Sequence, residues 1–155
     1  MAASRGFSLQ IEIRESSTEQ PIAFKVDGER FDGGNRTLKF SVNTTYKINL
    51  IFKPAVEINS FNLGGSLLEL DSTNSNYGQY TAVWNSSGVN CCKKGCRENI
   101  NLILQGPDGV LKKQLQCKFY RKEDTHVSWG SKLNSMDWTC AIIDSSISVV
   151  DETFK

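Results

Sequence analysis

Three thiols and three cations fall within seven residues, Cys91-Cys92-Lys93-Lys94-Gly95-Cys96-Arg97. Thiolates hold zinc, but a structural zinc site needs four ligands at paired spacing. No C-x-x-C pair is present and the single histidine, His126, lies far along the chain, so no metal centre is expected. Neighbouring cations lower the pKa of a thiol, which makes Cys91, Cys92 and Cys96 candidates for redox modification. The same cations could hold a partner's carboxylates, Arg97 as a bidentate fork and Lys93 and Lys94 as point charges. Lys112-Lys113 and Lys118 with Arg121-Lys122 add basic residues, and whether they converge is a question for the fold.

Other reactive combinations are weaker. Asp124-Thr125-His126 places an acid and a base close together, and a hydrolase would pair them with a Ser or Cys, but the G-x-S-x-G nucleophile elbow is absent. The phosphate-cradling patterns G-x-G-x-x-G and G-x-x-x-x-G-K-[ST] are absent too. No catalytic residue and no cofactor is assigned. Trp84, Trp129 and Trp138, with Tyr46, Tyr80 and eight Phe, supply large rings whose first use is core packing. Of these, Tyr80 and Trp84 are candidates for an apolar anchor toward a partner. A ring-lined interior could also leave a slot for a lipid or a lipidated peptide.

The elements that must position these residues are strands. Phe7, Leu9, Ile11 and Ile13 alternate with polar residues, as do Leu38, Phe40 and Val42, and Tyr46, Ile48, Leu50 and Phe52 up to Pro54. The two-residue period returns in Tyr80, Ala82 and Trp84; in Ile100, Leu102 and Leu104; in Leu111, Leu115, Cys117 and Phe119, with Lys113 the one charge on that face; and in Trp138, Cys140 and Ile142. Weaker strands fit at 21–27, 56–61 and 66–70, and one helical turn after a Ser131 cap fits at 131–138. Six Ala against 38 Ser, Thr and Asn disfavour helix interiors. About nine or ten antiparallel strands bounded by Gly-rich turns must close into a sandwich or flattened barrel to remove apolar faces and strand edges from water.

A length of 155 residues suits one domain with a single core, expected over 7–143, with the N-terminal residues and the tail after Asp144 loosely ordered. Eighteen Lys and Arg against 17 Asp and Glu leave a net charge of +1, which provides no global field for nucleic acid or a membrane surface. No apolar run approaches the roughly 20 residues of a membrane-spanning helix. Without an apolar leader, and with Ala2 where myristoylation needs Gly, a cytoplasmic protein is expected, and the sequons at Asn35, Asn43 and Asn85 read as turn and strand-edge residues.

Phe24-Lys25-Val26-Asp27-Gly28-Glu29-Arg30-Phe31, followed by Asn35-Arg36-Thr37-Leu38-Lys39, opens an ordered series of short motifs. Tyr46-Lys47, Lys53-Pro54, Gly64-Gly65, Tyr80-Thr81, Gly88-Val89 with Lys94, Gly95 and Arg97, Lys118-Phe119-Tyr120, and Trp129-Gly130-Ser131 ahead of Cys140 continue it. Over roughly residues 22–140 the chain resembles the cannabinoid receptor-interacting protein 1 family. Cys91, Cys92 and Cys96 stand where polar residues are expected, and Asp32-Gly33-Gly34 is one residue longer than usual, which marks a divergent member. The resemblance implies an antiparallel sandwich akin to the Rho guanine-nucleotide dissociation inhibitor carriers of lipidated proteins. It also implies a cytosolic, non-enzymatic adaptor that binds the cytoplasmic C-terminal tail of a G-protein-coupled receptor, the type-1 cannabinoid receptor or an equivalent, and tempers its signalling from the inner face of the plasma membrane. The partner-binding set it suggests is Lys93, Lys94, Arg97 and Arg36 for charge, with Tyr80 or Trp84 as the anchor. Carriage of a lipid or lipidated protein inside the sandwich is the alternative.

Overall fold

The computed structural model of the chain describes residues 5–26, 36–72, 78–88, 98–121 and 124–155. Its strands are β1 (Arg5–Glu15), β2 (Ala23–Val26), β3 (Arg36–Ser41), β4 (Thr45–Lys53), β5 (Ser60–Leu63), β6 (Ser66–Leu68) and β7 (Asp71–Ser72). They continue as β8 (Gln79–Asn85), β9 (Glu98–Gly106), β10 (Gly109–Tyr120), β11 (Ser131–Lys132), β12 (Met136–Ile143) and β13 (Ser146–Phe154). Helical structure among the described residues is confined to two 3-10 turns, Ser86–Gly88 and Thr125–Ser128. The all-β sandwich expected from the two-residue period is the fold observed.

One layer runs β11-β2-β3-β10-β9-β5-β6 and the other β13-β12-β1-β4-β8-β7. Antiparallel register places like faces together: Ile11 lies opposite Leu50 and Met136, and Tyr46 opposite Trp84. The two layers become one folded sheet through β10. It pairs with β9 along one edge. Its other edge is divided between two parallel neighbours, β13 at Val110–Leu111 and β3 at Cys117–Tyr120. Between those stretches β3 and β13 diverge and leave a fork.

Side chains from both layers fill the interior. Phe40 stands edge-on to Tyr46 at 5.1 Å and to Trp84 at 5.2 Å, and stacks on Phe119 at 5.7 Å. Phe7, Phe52 and Tyr80 form a second ring group. Each such contact contributes about 0.5–1.5 kcal/mol beyond area burial. A buried hydroxyl network secures one end: Ser86 Oγ donates to Ser41 O at 2.6 Å and accepts from Thr44 N, while Tyr46 Oη accepts from Ser41 N.

Four expectations are corrected. The segment after Asp144 is not loose: β13 pairs with β12 over its length and with β10 at its start, and Ile147 is buried. Its pattern is hidden because an irregularity at Thr139/Cys140 puts Val149 opposite Cys140 and Asp151 opposite Thr139, so Val150 drops out of register and the apolar alternation breaks. Residues 131–138 make no helical turn; β11 and β12 are extended there, and the 3-10 turn lies at Thr125–Ser128 with Asp124 as its cap. The strand expected at 56–61 begins only at Ser60. Val56 and Ile58 are nevertheless buried, tied through their backbone to Tyr80 rather than to a ladder. Finally, β3 is not half-exposed: Thr37, Lys39 and Ser41 are buried, and the 3-10 turn at Thr125–Ser128 packs on this strand. The docking of β13 gives a direct test. Ile147→Ala should lower unfolding free energy by about 2–4 kcal/mol in urea titration, as for other buried Ile truncations, whereas a change within about 0.5 kcal/mol would show a surface residue on an undocked strand.

Candidate partner-binding surfaces

Tyr80 and Trp84, expected as an apolar anchor for a partner, are 3% and 2% exposed. Both lie on the inward row of β8, opposite Leu50 and Tyr46 of β4, which is why they alternate with polar residues in the first place. Tyr80 Oη donates to Val56 O and accepts from Ile58 N, both at 3.0 Å, and so staples the non-ladder segment before β5 to β8. Trp84 belongs to the ring cluster. These two residues hold the core and present no ring to a partner. Arg36, at the start of β3, is exposed, and its guanidinium lies 5.2 Å from the ring centroid of Phe154. Lys93, Lys94 and Arg97, with Cys91, Cys92 and Cys96, lie outside the described residues.

The remaining cations sort by strand parity. Lys112 points outward on β10 and has no ion-pair partner among the described residues. Lys113 points inward at the fork, 4.0 Å from Glu152 of β13, whose carboxylate also accepts Trp138 Nε1–H at 2.7 Å. The two lysines and Ser145, Ser146 and Ser148 line a polar groove of about 520 Å³ between β10 and β13. Lys118 shares the outward face with Lys112, about 20 Å away at 3.3 Å per residue; its ammonium lies 5.2 Å from the ring centroid of Tyr120. Lys39 approaches the same ring at 5.6 Å, but it is a structural group, 8% exposed, whose Nζ donates to the carbonyls of His126 and Trp129. Sequence reading missed Lys39 and the Lys113–Glu152–Trp138 contact. The signal for the second was the single charge on an otherwise apolar row of β10.

Asp124 and His126 do meet. Asp124 Oδ1 accepts from His126 N at 2.9 Å and lies 2.7 Å from His126 Nδ1. The backbone N–H of His126, then its ring, holds the Asp124 carboxyl below the ordinary carboxylate range. On its other side the imidazole meets the Trp129 ring at 4.1 Å, and no Ser or Cys hydrogen-bonds it among the described residues. The pair caps a turn and does not assemble a nucleophile. Cys117 and Cys140 are buried and in no disulfide, and burial pushes the Cys140 thiol up to about 11.

The fold is a β-sandwich with buried rings and a polar, partly basic cleft at the fork. The chain belongs to the CB1 cannabinoid receptor-interacting protein 1 family, whose model matches residues 3–154. Over 140 residues it is 34% identical to the human CB1 cannabinoid receptor-interacting protein 1, 33% to the cattle protein and 32% to the rat protein. The alignments cover 85% of this chain and 84% of each relative.

Two outcomes follow from this placement. Tyr80→Phe leaves Val56 O and Ile58 N without a partner and should lower stability by about 1–3 kcal/mol in thermal or urea unfolding; unchanged stability would show that the phenol is not the staple. In the native protein, maleimide followed by mass spectrometry should leave Cys117 and Cys140 unlabelled, because a buried neutral thiol is a poor nucleophile. Labelling of either at a free-thiol rate would contradict the packing.

Proposed function

We propose that this chain is a cytoplasmic, non-catalytic adaptor that captures the C-terminal tail of a G-protein-coupled receptor, the CB1 receptor or its equivalent, and modulates its signalling. The observation that carries the reading is membership, over residues 3–154, in a family described by its interaction with that receptor. Two features support it. Among the described residues no helix is long and apolar enough to cross a membrane. Arg36 on β3 and Lys112 on β10 are exposed, where an acidic tail could meet them, and the sequence between β8 and β9 adds the cations Lys93, Lys94 and Arg97. The carrier alternative gains no comparable support, since Phe40, Tyr46, Trp84 and Phe119 occupy the space between the layers in mutual contact.

Calorimetric titration with the receptor's cytoplasmic tail peptide at low and high salt tests this. Reversing Lys93, Lys94 and Arg97 together should weaken binding about tenfold, at about 0.5 kcal/mol per charge, and should flatten the salt dependence. Affinity indifferent to both salt and charge reversal would remove the electrostatic assignment. Failure of any cytoplasmic tail to bind the unaltered protein would remove the adaptor reading.

A further inference from the structure

The seam away from the fork, where β6 at the end of one layer meets β7 and its neighbour β8 of the other, has a different chemistry. The chain crosses between layers there through Leu67-Leu68-Glu69-Leu70-Asp71. Leu68 and Leu70 pack partly against the core, whereas Leu67 is 73% exposed, the highest value among the large apolar side chains of the described residues. A groove of about 770 Å³ runs along this segment, with Ile58, Leu67, Leu68 and Leu70 supplying apolar wall and Glu69 and Asp71 supplying charge. Both acidic residues are exposed, and neither carboxylate has an ion-pair or side-chain hydrogen-bond partner among the described residues. Among the described residues no Lys or Arg lines the groove. Beside it, β6 pairs with β5 alone among the described residues.

A lone exposed leucine needs no explanation. Here it coincides with a groove, two carboxylates without a cation partner among the described residues and a strand that those residues pair on one side, and the combination selects an occupant by charge. Anionic lipid headgroups and nucleic acid would meet the acidic rim unfavourably. The adjoining sequence Thr73-Asn74-Ser75-Asn76-Tyr77 carries no cation to neutralise it. We propose that this groove is a second docking surface, for a segment of a partner protein that presents an apolar side chain flanked by lysine or arginine. The apolar residue would cover Leu67 and its neighbours while the cations reach Glu69 and Asp71. The proposal does not depend on the assignment of an acidic receptor tail to the cations named above. With both in place, one chain could bridge two partners.

The test uses the full isotopically labelled chain, titrated with a short leucine–lysine peptide and its leucine–glutamate counterpart. The lysine peptide should shift the amides of residues 58–60 and 67–71, and added salt should weaken it. Leu67→Ser, and separately Glu69→Lys with Asp71→Lys, should each weaken it about tenfold. The double reversal should also favour the glutamate peptide. Because these side chains are exposed, melting of the variants should match the parent. Binding of both peptides alike, shifts confined to other residues, or no binding of the lysine peptide would each overturn the proposal. So would concentration-dependent self-association abolished by Leu67→Ser, which would make a second copy the occupant. Tail affinity unchanged in these variants is expected, and its loss would merge the two surfaces into one.

Discussion

Closure of the sandwich depends on the divided edge of β10. A β-sheet edge carries unpaired N–H and C=O groups that must be paired, covered or hydrated. By accepting β13 at one end and β3 at the other, both parallel in an otherwise antiparallel fold, β10 ties the two layers into one sheet. Where two neighbours share one edge they must diverge, so closure on this side also generates the fork. Lys113 and Glu152 sit in that opening because an inward charge is tolerable only where water and an opposite charge both reach it.

The ring cluster restricts where recognition can occur. Phe40, Tyr46, Trp84 and Phe119 touch across the two layers, and their burial rigidifies the strands that bear them. Tyr80 extends the same role to a segment without ladder partners through the two bonds of its hydroxyl. Binding chemistry is thereby displaced to the seams, the outward faces and the connections. The described clefts follow that division: serines and lysines at the fork, leucines and carboxylates at the seam beside β6.

Such an arrangement suits a receptor-associated adaptor. A rigid body with charge of both signs and a net charge of +1 resists indiscriminate attachment to polyanions, yet it retains local patches that can orient partners. As proposed, an acidic tail and a basic segment would call on groups of opposite sign.

Alternation by twos was enough to determine, from the sequence alone, the all-β class and the inward rows of β1, β4, β8, β9 and β10, and a resemblance in short ordered motifs pointed to the family, because side-chain period and such motifs are local properties of a chain. What local pattern could not decide is which residue covers which. Only tertiary structure buried Lys39 beneath the turn at 124–130, where it could trade water for two carbonyls. It also kept β13 in the sheet despite an irregularity that breaks its alternation. Tyr80 and Trp84 were legible as an apolar row but not as core staples, since the same period describes a residue facing a partner and one facing the opposite layer. Lys112 and Lys113 were adjacent cations in sequence; the two-residue period sent one outward and the other to the fork, and only the register of β10 with β13 gave the second its carboxylate. Leu67 and its neighbours read as a weak strand, and the exposure that makes them a surface arises because β6 ends a layer, a fact of strand order that no single segment encodes.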